Sequence, residues 1–285
     1  MRCDLHVHTR HSGMCTVPVL SRICLESYNQ PRALYETLKQ RGMDLVTVTD
    51  HDSIGAAVEL RHHPDFFLSE EVTCTMPSGT EMHAGVYGMR ERDHDELQRR
   101  RHDLESLLAY VGENGLFITV NHLYSSLTGR RDHDDFERFA RDFHGVETRN
   151  GCMLPRANRL AHDFAHRFGK PVTGGSDSHT LAGVARTFTE VRGARNAEEF
   201  LAGLRRGQSV AMGDHGDYWK LTAAVCGIGG SLIQARPWML LASALFAAAP
   251  VVTLGNYLRE IAFVWKWGSR HAPPQPADVA PEPAR

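Results

Sequence analysis

The sequence predicts an α/β protein built as a barrel of alternating strands and helices, with an apolar helical tail. Strand-like and helix-like segments alternate through the first two-thirds of the chain, as they do in parallel β/α units. Clusters of His and Asp directly follow several of these strands, and an α/β barrel delivers such side chains to one shared rim. The length of 285 residues suits one barrel-sized domain with an appendage.

The individual elements follow from hydrophobic spacing and from the residues that begin and end helices. Apolar and β-branched runs predict strands at 3–8, 44–49, 66–74, 81–87, 116–120, 146–148 and 171–174. Helical spacing predicts helices at 31–41, 92–114, 134–143, 155–168 and 196–206. Pro31 suits a first helical turn, Asn196 with Glu199 forms a capping-box pattern, and Gly42 and Gly169 suit helix ends.

The composition changes near residue 216, and residues 237–258 contain no charged side chain. This stretch has about the 20 residues of a membrane-spanning helix, and aromatic residues flank it. Its many alanines and Pro250 favour instead a buried hairpin that caps the barrel. We therefore expect a barrel domain at 1–215, an apolar tail and candidate membrane anchor at 216–271, and a disordered Pro/Ala-rich end at 272–285.

Composition excludes some classes of function and location. The formal net charge of −2 gives no electrostatic signal for nucleic-acid binding. The six cysteines show no CxxC pairing, so neither a disulfide framework nor a thiolate zinc site is predicted. The N-terminus lacks the apolar segment of a signal peptide. These features indicate a reduced, cytoplasmic setting, with membrane association through 237–258 as an added expectation.

His6 and His8 are the first candidate metal ligands. Residues i and i+2 of a strand share a face, so the two imidazoles converge on one point. Asp50 and His51 follow the 44–49 strand directly, where a carboxylate and an imidazole suit a divalent cation. Asp52, by contrast, could be no more than a helix N-cap.

Glu70 and Glu71 lie in the middle of an apolar strand. Because adjacent strand residues face opposite sides, only one of them can point into a barrel. A buried carboxylate is costly unless a positive group meets it, and a metal ion would do so. The alternative is an edge strand with both carboxylates in water.

The remaining candidates are single residues or short runs. His83 and His122 would each be structural if considered alone, whereas the run at 175–179 places Asp177 and His179 at a strand end. Together the set offers nitrogen and oxygen donors for two or three divalent ions, and such donors without thiolates favour Zn, Mn or Fe. At another strand end, Glu147 with Arg149 and Asn150 could position a substrate or form a local salt bridge.

The ordered series of these motifs resembles the PHP family (polymerase and histidinol phosphatase), over residues 1 to about 190. The series is His6-x-His8, Thr49-Asp50-His51-Asp52, Glu71-Val72-Thr73, His83, His122 and Gly175-Ser176-Asp177-Ser178-His179. The resemblance implies a distorted seven-stranded β/α barrel. It assigns a first metal to His6, His8, Glu71 and Asp177, a second to Glu71, His83 and His122, and a third site to His51 and His179.

The sequence departs from the family pattern in the loop that follows His8. That loop usually carries an Asp or His that binds the third metal, but the corresponding positions here fall near Gly13 and Met14. Either His11 or Cys15 substitutes, or the third site is weak. Leu123 also stands where the family usually has proline after the histidine.

The expected function is hydrolysis of a small phosphoester by a metal-activated hydroxide. Glu71 would bridge two ions, and Asp177 or His179 would protonate the leaving alkoxide. A cation would meet the developing charge, with Arg10, Arg149 and Arg186 as candidates. The alternatives are a metal-dependent amidohydrolase, which usually needs a bridging lysine, and a non-catalytic metal-binding regulatory module.

Overall fold

The computed structural model describes residues 1–16 and 20–271, so the predicted disordered end at 272–285 lies outside the described residues. Its strands are β1 (Arg2–Cys3), β2 (Ser69–Thr75), β3 (Glu81–Tyr87), β4 (Phe117–Val120), β5 (Gly145–Asn150), β6 (Val172–Gly175), β7 (Thr187–Val191) and β8 (Ser209–Gly213). Its α-helices are α1 (Pro31–Gln40), α2 (Gly55–Leu60), α3 (Glu91–Arg100), α4 (Leu104–Glu113), α5 (His133–Asp142), α6 (Pro155–Arg167), α7 (Ala197–Arg205), α8 (Tyr218–Ala235) and α9 (Ala249–His271).

These strands form a mixed α/β architecture with two sheets. The larger sheet has the order β2-β3-β4-β5-β6, and the smaller has the order β1-β7-β8. The expectation of parallel pairing throughout is wrong, because β2, β3 and β4 pair antiparallel and only β4, β5 and β6 pair parallel. A short turn through Gly79 joins β2 to β3, and such a connection can serve only antiparallel neighbours.

The predicted strands at 3–8 and 44–49 are mostly extended segments without ladders. Isolated parallel bridges join Val7 to Ser178, Val46 to Phe66 and His51 to Glu71. Thr49 N also donates to Val7 O (3.0 Å), which places the two segments side by side. Among residues 1–16 and 20–271, the paired strands therefore form no closed barrel. The segments at 3–8 and 44–51 lie between β6 and β2 in space and are joined to them by single bridges and hydrogen bonds.

The predicted helix at 92–114 is two helices, α3 and α4. Asp103 ends the continuity, because its side chain caps α4 by accepting from Ser106 N (3.2 Å). Just before it, Arg101 forms an ion pair with Asp52, which ties the break to the loop after the 44–49 segment. Neither α2 nor the β7–β8 pair was predicted from the sequence.

The apolar stretch at 237–258 is not one helix, since a 3₁₀ helix at Pro237–Ala248 precedes α9. No helix in the described part of the chain combines the length and the apolar character needed to cross a membrane. Met239 and Ala249 are buried, but Leu241 is 94% exposed and Val251 72% exposed, so the buried-hairpin interpretation holds only in part. Association of this stretch with a membrane surface stays a prediction.

The second half of α9 packs against the main core. Val264 and Trp267 are buried in the cluster formed by β2, β3, β4 and the helices α3 to α6. The Trp267 ring lies 5.4 Å from the Phe136 ring, measured between centroids. The end of the apolar tail is thus part of the folded body of the protein.

Candidate metal centre

The two adjacent glutamates of β2 are both fully buried and point in opposite directions, so the solvated-edge interpretation is wrong. Glu70 faces α3, where its Oε2 lies 2.6 Å from His94 Nδ1. Glu71 faces the other side, into a group of histidines that come from distant parts of the chain. The strand alternation that the sequence predicted thus places one carboxylate at the candidate site.

Imidazole nitrogens surround the Glu71 carboxylate. Its Oε2 lies 3.0 Å from His6 Nε2, 3.3 Å from His51 Nδ1 and 3.5 Å from His8 Nε2. Its Oε1 lies 3.3 Å from His122 Nε2 and 3.6 Å from His83 Nδ1. Burial alone would raise the pKa of Glu71, but the charges of the neighbouring histidines outweigh it and hold the pKa well below its ordinary value. The carboxylate is therefore ionised and can accept a cation from either side.

Asp177 forms a second focus beside His6 and His8. Its Oδ1 lies 3.5 Å from His6 Nε2 and 3.3 Å from His8 Nε2. Burial would raise the pKa of Asp177, yet His6 and His8 lower it far below its ordinary value, which favours the ionised carboxylate. Its role as a proton donor stays a prediction. Burial and the charge of His179 lower the pKa of His8 to about 3, which keeps its imidazole neutral and able to bind a metal.

A layer of polar side chains fixes the orientation of these groups. Glu147 Oε1 lies 2.7 Å from His6 Nδ1, which turns His6 Nε2 toward Glu71. Asn150 Nδ2 donates to Glu147 Oε2 (2.9 Å) and to Asp177 Oδ2 (3.0 Å). From the sequence, Glu147 and Asn150 were predicted only to position a substrate. Both residues lie near the end of β5, and this position was the feature of the sequence that could have indicated a supporting role.

Two of the candidate ligands adopt an unusual backbone conformation. His122 has φ 29° and Asp177 has φ 50°, both in the left-handed region that non-glycine residues seldom occupy. Such conformations cost of order 1–3 kcal/mol and persist where surrounding structure imposes them, often at functional sites. The fold therefore holds both side chains in place at the expense of local stability.

The donor set fits divalent metal ions. Candidate ligand atoms lie within 4.8 Å of one another in the groups His6–His8–Asp177, His6–Glu71–His122, His51–Glu71–His83 and His8–His51–His179. His8 Nε2, His51 Nδ1 and His179 Nε2 are buried without a hydrogen-bond partner, which is costly unless something else binds them. Mixed imidazole and carboxylate donors without thiolate suit Zn, Mn or Fe.

Asp50 was predicted as a ligand, and the structure gives it another role. Its Oδ1 accepts from Thr9 N (2.6 Å) and Ser12 Oγ (2.7 Å), and its Oδ2 accepts from Thr9 Oγ1 (2.6 Å). These bonds occupy the carboxylate and fasten the loop after His8. These contacts give Asp50 a supporting role beside the centre, and its role as a metal ligand stays a prediction.

The cations predicted to meet a substrate are engaged elsewhere. Arg149 Nη1 lies 2.7 Å from His215 Nε2 and donates to Gly213 O (3.2 Å). Arg10 pairs with Glu59 and Arg186 lies near Asp214. Arg149 thus supports the β8 side of the fold, and its predicted catalytic role gains no support from its contacts.

The two predicted substitutes for the third-metal ligand do not reach His51 or His179. The His11 ring lies against Gly55, with Nε2 3.4 Å from Glu59, and Cys15 pairs with Cys24 through the backbone. The structure instead brings in Glu26, which sequence reasoning missed. It is the only acidic residue between His8 and Glu36, and that was the available signal.

Glu26 faces both of the histidines assigned to the third site. Its carboxylate oxygens lie 3.5 Å from His179 Nε2 and 3.6 Å from His51 Nε2. Burial would raise the pKa of Glu26, but His179, His51 and His8 lower it to about 2. Although burial lowers the pKa of His179, the nearby carboxylates of Glu26 and Asp177 outweigh it and raise that pKa.

The centre has a closed side and an open side. The side chains of His6, His8 and Glu71 are at most 1% exposed, whereas His51, His83 and His179 are 17–19% exposed. A small molecule would therefore meet the centre on the side of these three histidines.

Comparison with known proteins agrees with the resemblance seen in the motifs. Residues 155–209 match the family model described as PHP-associated. The matched residues are a minor part of the chain, so the match supports the resemblance to the PHP family over this segment. An uncharacterized protein of Methanocaldococcus jannaschii is 34% identical over 61 residues, which are 21% of this chain and 34% of that protein. The match thus spans about a third of the relative's length.

Solved structures share the fold of this chain at low identity. A two-domain protein from Bacteroides vulgatus that contains a predicted PHP-like metal-dependent phosphoesterase has a TM-score of 0.57 at 16% identity, covering 80% of this chain and 69% of that one. The lesion-specific endonuclease PfuEndoQ from Pyrococcus furiosus has a TM-score of 0.50 at 17% identity, covering 74% of this chain and 58% of that one. At these identities the likeness concerns the fold.

Proposed function

We propose that this chain is a metal-dependent phosphoesterase that hydrolyses a small phosphoester. The observation that carries the proposal is the buried Glu71 carboxylate, whose two oxygens face imidazoles from different segments of the chain. His6, His8, Glu71 and Asp177 would hold one divalent ion, and Glu71, His83 and His122 would hold a second. Divalent ions bound there would polarise phosphoryl oxygens and lower the pKa of a coordinated water.

The side chains around the ions would have defined tasks. Glu147 holds His6 Nδ1 and so keeps His6 Nε2 directed at the centre, while Asn150 holds one oxygen of Asp177 and leaves the other free. His51, His83 and His179 line the open side and would contact the substrate or its ions. The family's distorted seven-stranded barrel is our proposal for the arrangement, supported by the single bonds that link 3–8 and 44–51 to β6 and β2.

The amidohydrolase alternative lacks its usual bridging group. Lys39 Nζ lies 2.6 Å from Asp65 Oδ2, and Lys170 Nζ donates to Phe143 O (2.7 Å). Glu71 would fill the bridging place instead, as in the phosphoesterase interpretation. A non-catalytic binding module would need neither an exposed side of the centre nor buried imidazole nitrogens without hydrogen-bond partners. For this reason we favour an enzyme.

An assay on two model esters tests the proposal. Metal-depleted protein is expected to hydrolyse neither p-nitrophenyl phosphate nor bis-p-nitrophenyl phosphate, and added Mn²⁺ or Zn²⁺ is expected to restore turnover of at least one. The preferred ester would distinguish a monoesterase from a diesterase. A single-stranded oligonucleotide serves as a third substrate, because one structural neighbour is an endonuclease. Metal-loaded protein that turns over none of the three would contradict the proposal.

A further inference from the structure

The loop that lacks the family's usual third-metal ligand folds back on itself. Met14 pairs with Leu25 in an antiparallel bridge, and Cys15 N donates to Cys24 O (3.0 Å). Glu26 N then donates to Gly13 O (3.0 Å). This pairing brings Glu26 beside the position where the family would place its Asp or His.

The opposite end of the loop is held just as firmly. Thr9 and Ser12 both bond to the buried Asp50, and Ser12 Oγ also lies 3.0 Å from His8 Nδ1. Ser27 Oγ donates to His8 O (3.2 Å) from the residue after Glu26. The loop is therefore anchored to the metal centre on both sides of the bridge, and Glu26 has a fixed place at its rim.

The distances around Glu26 fit an ion better than a direct hydrogen bond. Its oxygens lie 3.5 Å from His179 Nε2 and 3.6 Å from His51 Nε2, beyond the usual 2.7–3.2 Å of an N–H···O bond. In a tetrahedral zinc site with bond lengths of about 2.0–2.1 Å, two ligand atoms lie roughly 3.3 Å from each other. His179 Nε2 is also buried without a hydrogen-bond partner.

We propose that Glu26 is the carboxylate ligand of a third divalent ion, which it binds together with His51 Nε2 and His179 Nε2. The inference rests on the proposed metal centre and adds to it a ligand that directly follows Leu25, the residue bridged to Met14. In the metal-loaded protein His179 would then bind an ion through Nε2, so that nitrogen has no proton to give to a leaving group.

Counting metal ions in matched variants tests this assignment. Full-length Glu26→Gln is expected to bind one Zn²⁺ fewer per chain than the unmodified protein, by elemental analysis after dialysis and by calorimetric titration of metal-depleted protein. Glu36→Gln is the control, because Glu36 lies on the exposed surface of α1, where it pairs with Arg32. It is expected to bind the full number.

A second variant guards against a general loss of structure. His179→Gln is expected to lose the same ion, so the double variant Glu26→Gln/His179→Gln should bind no fewer than either single variant. An unchanged count and affinity in Glu26→Gln would overturn the proposal, as would an unmodified protein that binds only two ions. The second outcome leaves the two-ion phosphoesterase intact, whereas a protein that binds no metal removes both proposals.

Discussion

Glu71→Gln is expected to lower kcat for the preferred model ester by at least about a thousandfold, because several kcal/mol of transition-state stabilisation by the ions would be lost and each 1.36 kcal/mol is tenfold in rate. The substitution keeps the volume of the side chain but removes the charge that both proposed ions would share. The carboxylate is fully buried and its oxygens face His6, His51 and His122. The measurement is steady-state turnover together with metal content per chain.

Glu70→Gln is the matched control for this experiment. Glu70 is the neighbouring residue of the same strand and equally buried, but its carboxylate faces His94 and Gln98 rather than the metal centre. We expect Glu70→Gln to keep its metal content and most of its turnover. Full turnover in a folded Glu71→Gln protein would show that this carboxylate does not bridge catalytic ions.

Gly175→Ala is expected to destabilise the protein and to weaken metal binding. A Cβ atom at Gly175 would lie 2.3 Å from both the backbone N and the Cβ of His6, closer than real atoms approach. The segment carrying His6 would have to move away from β6, although Asp177 N bonds to His6 O across the same gap (2.6 Å). Overpacking of this kind costs typically about 1–3 kcal/mol of unfolding free energy, and more where backbone must shift.

The control for this prediction is Gly112→Ala in α4. A Cβ atom there meets nothing within 4 Å, so the change is expected to be neutral or to stabilise the helix by up to about 1 kcal/mol. Denaturant unfolding of metal-free protein and zinc affinity are the two measurements. If Gly175→Ala unfolds at the same denaturant concentration and binds zinc as before, the close approach of β6 to His6 is not as we describe it.

Local patterns predicted the parts of the site that depend on strand geometry alone. The i, i+2 spacing of His6 and His8 and the opposite faces of Glu70 and Glu71 follow from the alternation of a strand. Four of the five predicted helices and the strands from β2 to β6 lie close to their predicted bounds, because hydrophobic spacing and helix caps depend on residues near one another in the sequence.

The errors concern contacts between segments far apart in the sequence. Asp50 follows a strand as a ligand would, but donors from Thr9 and Ser12 use its oxygens. Glu26 reaches the centre only because the loop pairs Met14 with Leu25. The antiparallel pairing of β2 with β3 and the break at Asp103 are different, because a short turn through Gly79 and an aspartate able to cap a helix are local signals. Strand pairing and hydrogen-bond partners depend on tertiary structure that propensities do not contain.

The most direct test of the metal centre is elemental analysis of the purified full-length chain, before metal removal and after Zn²⁺ or Mn²⁺ is restored. Our account predicts at least two divalent ions per chain, with the restored ions bringing back ester hydrolysis in proportion to their occupancy. A well-folded protein that holds less than one ion per chain under both conditions would contradict it.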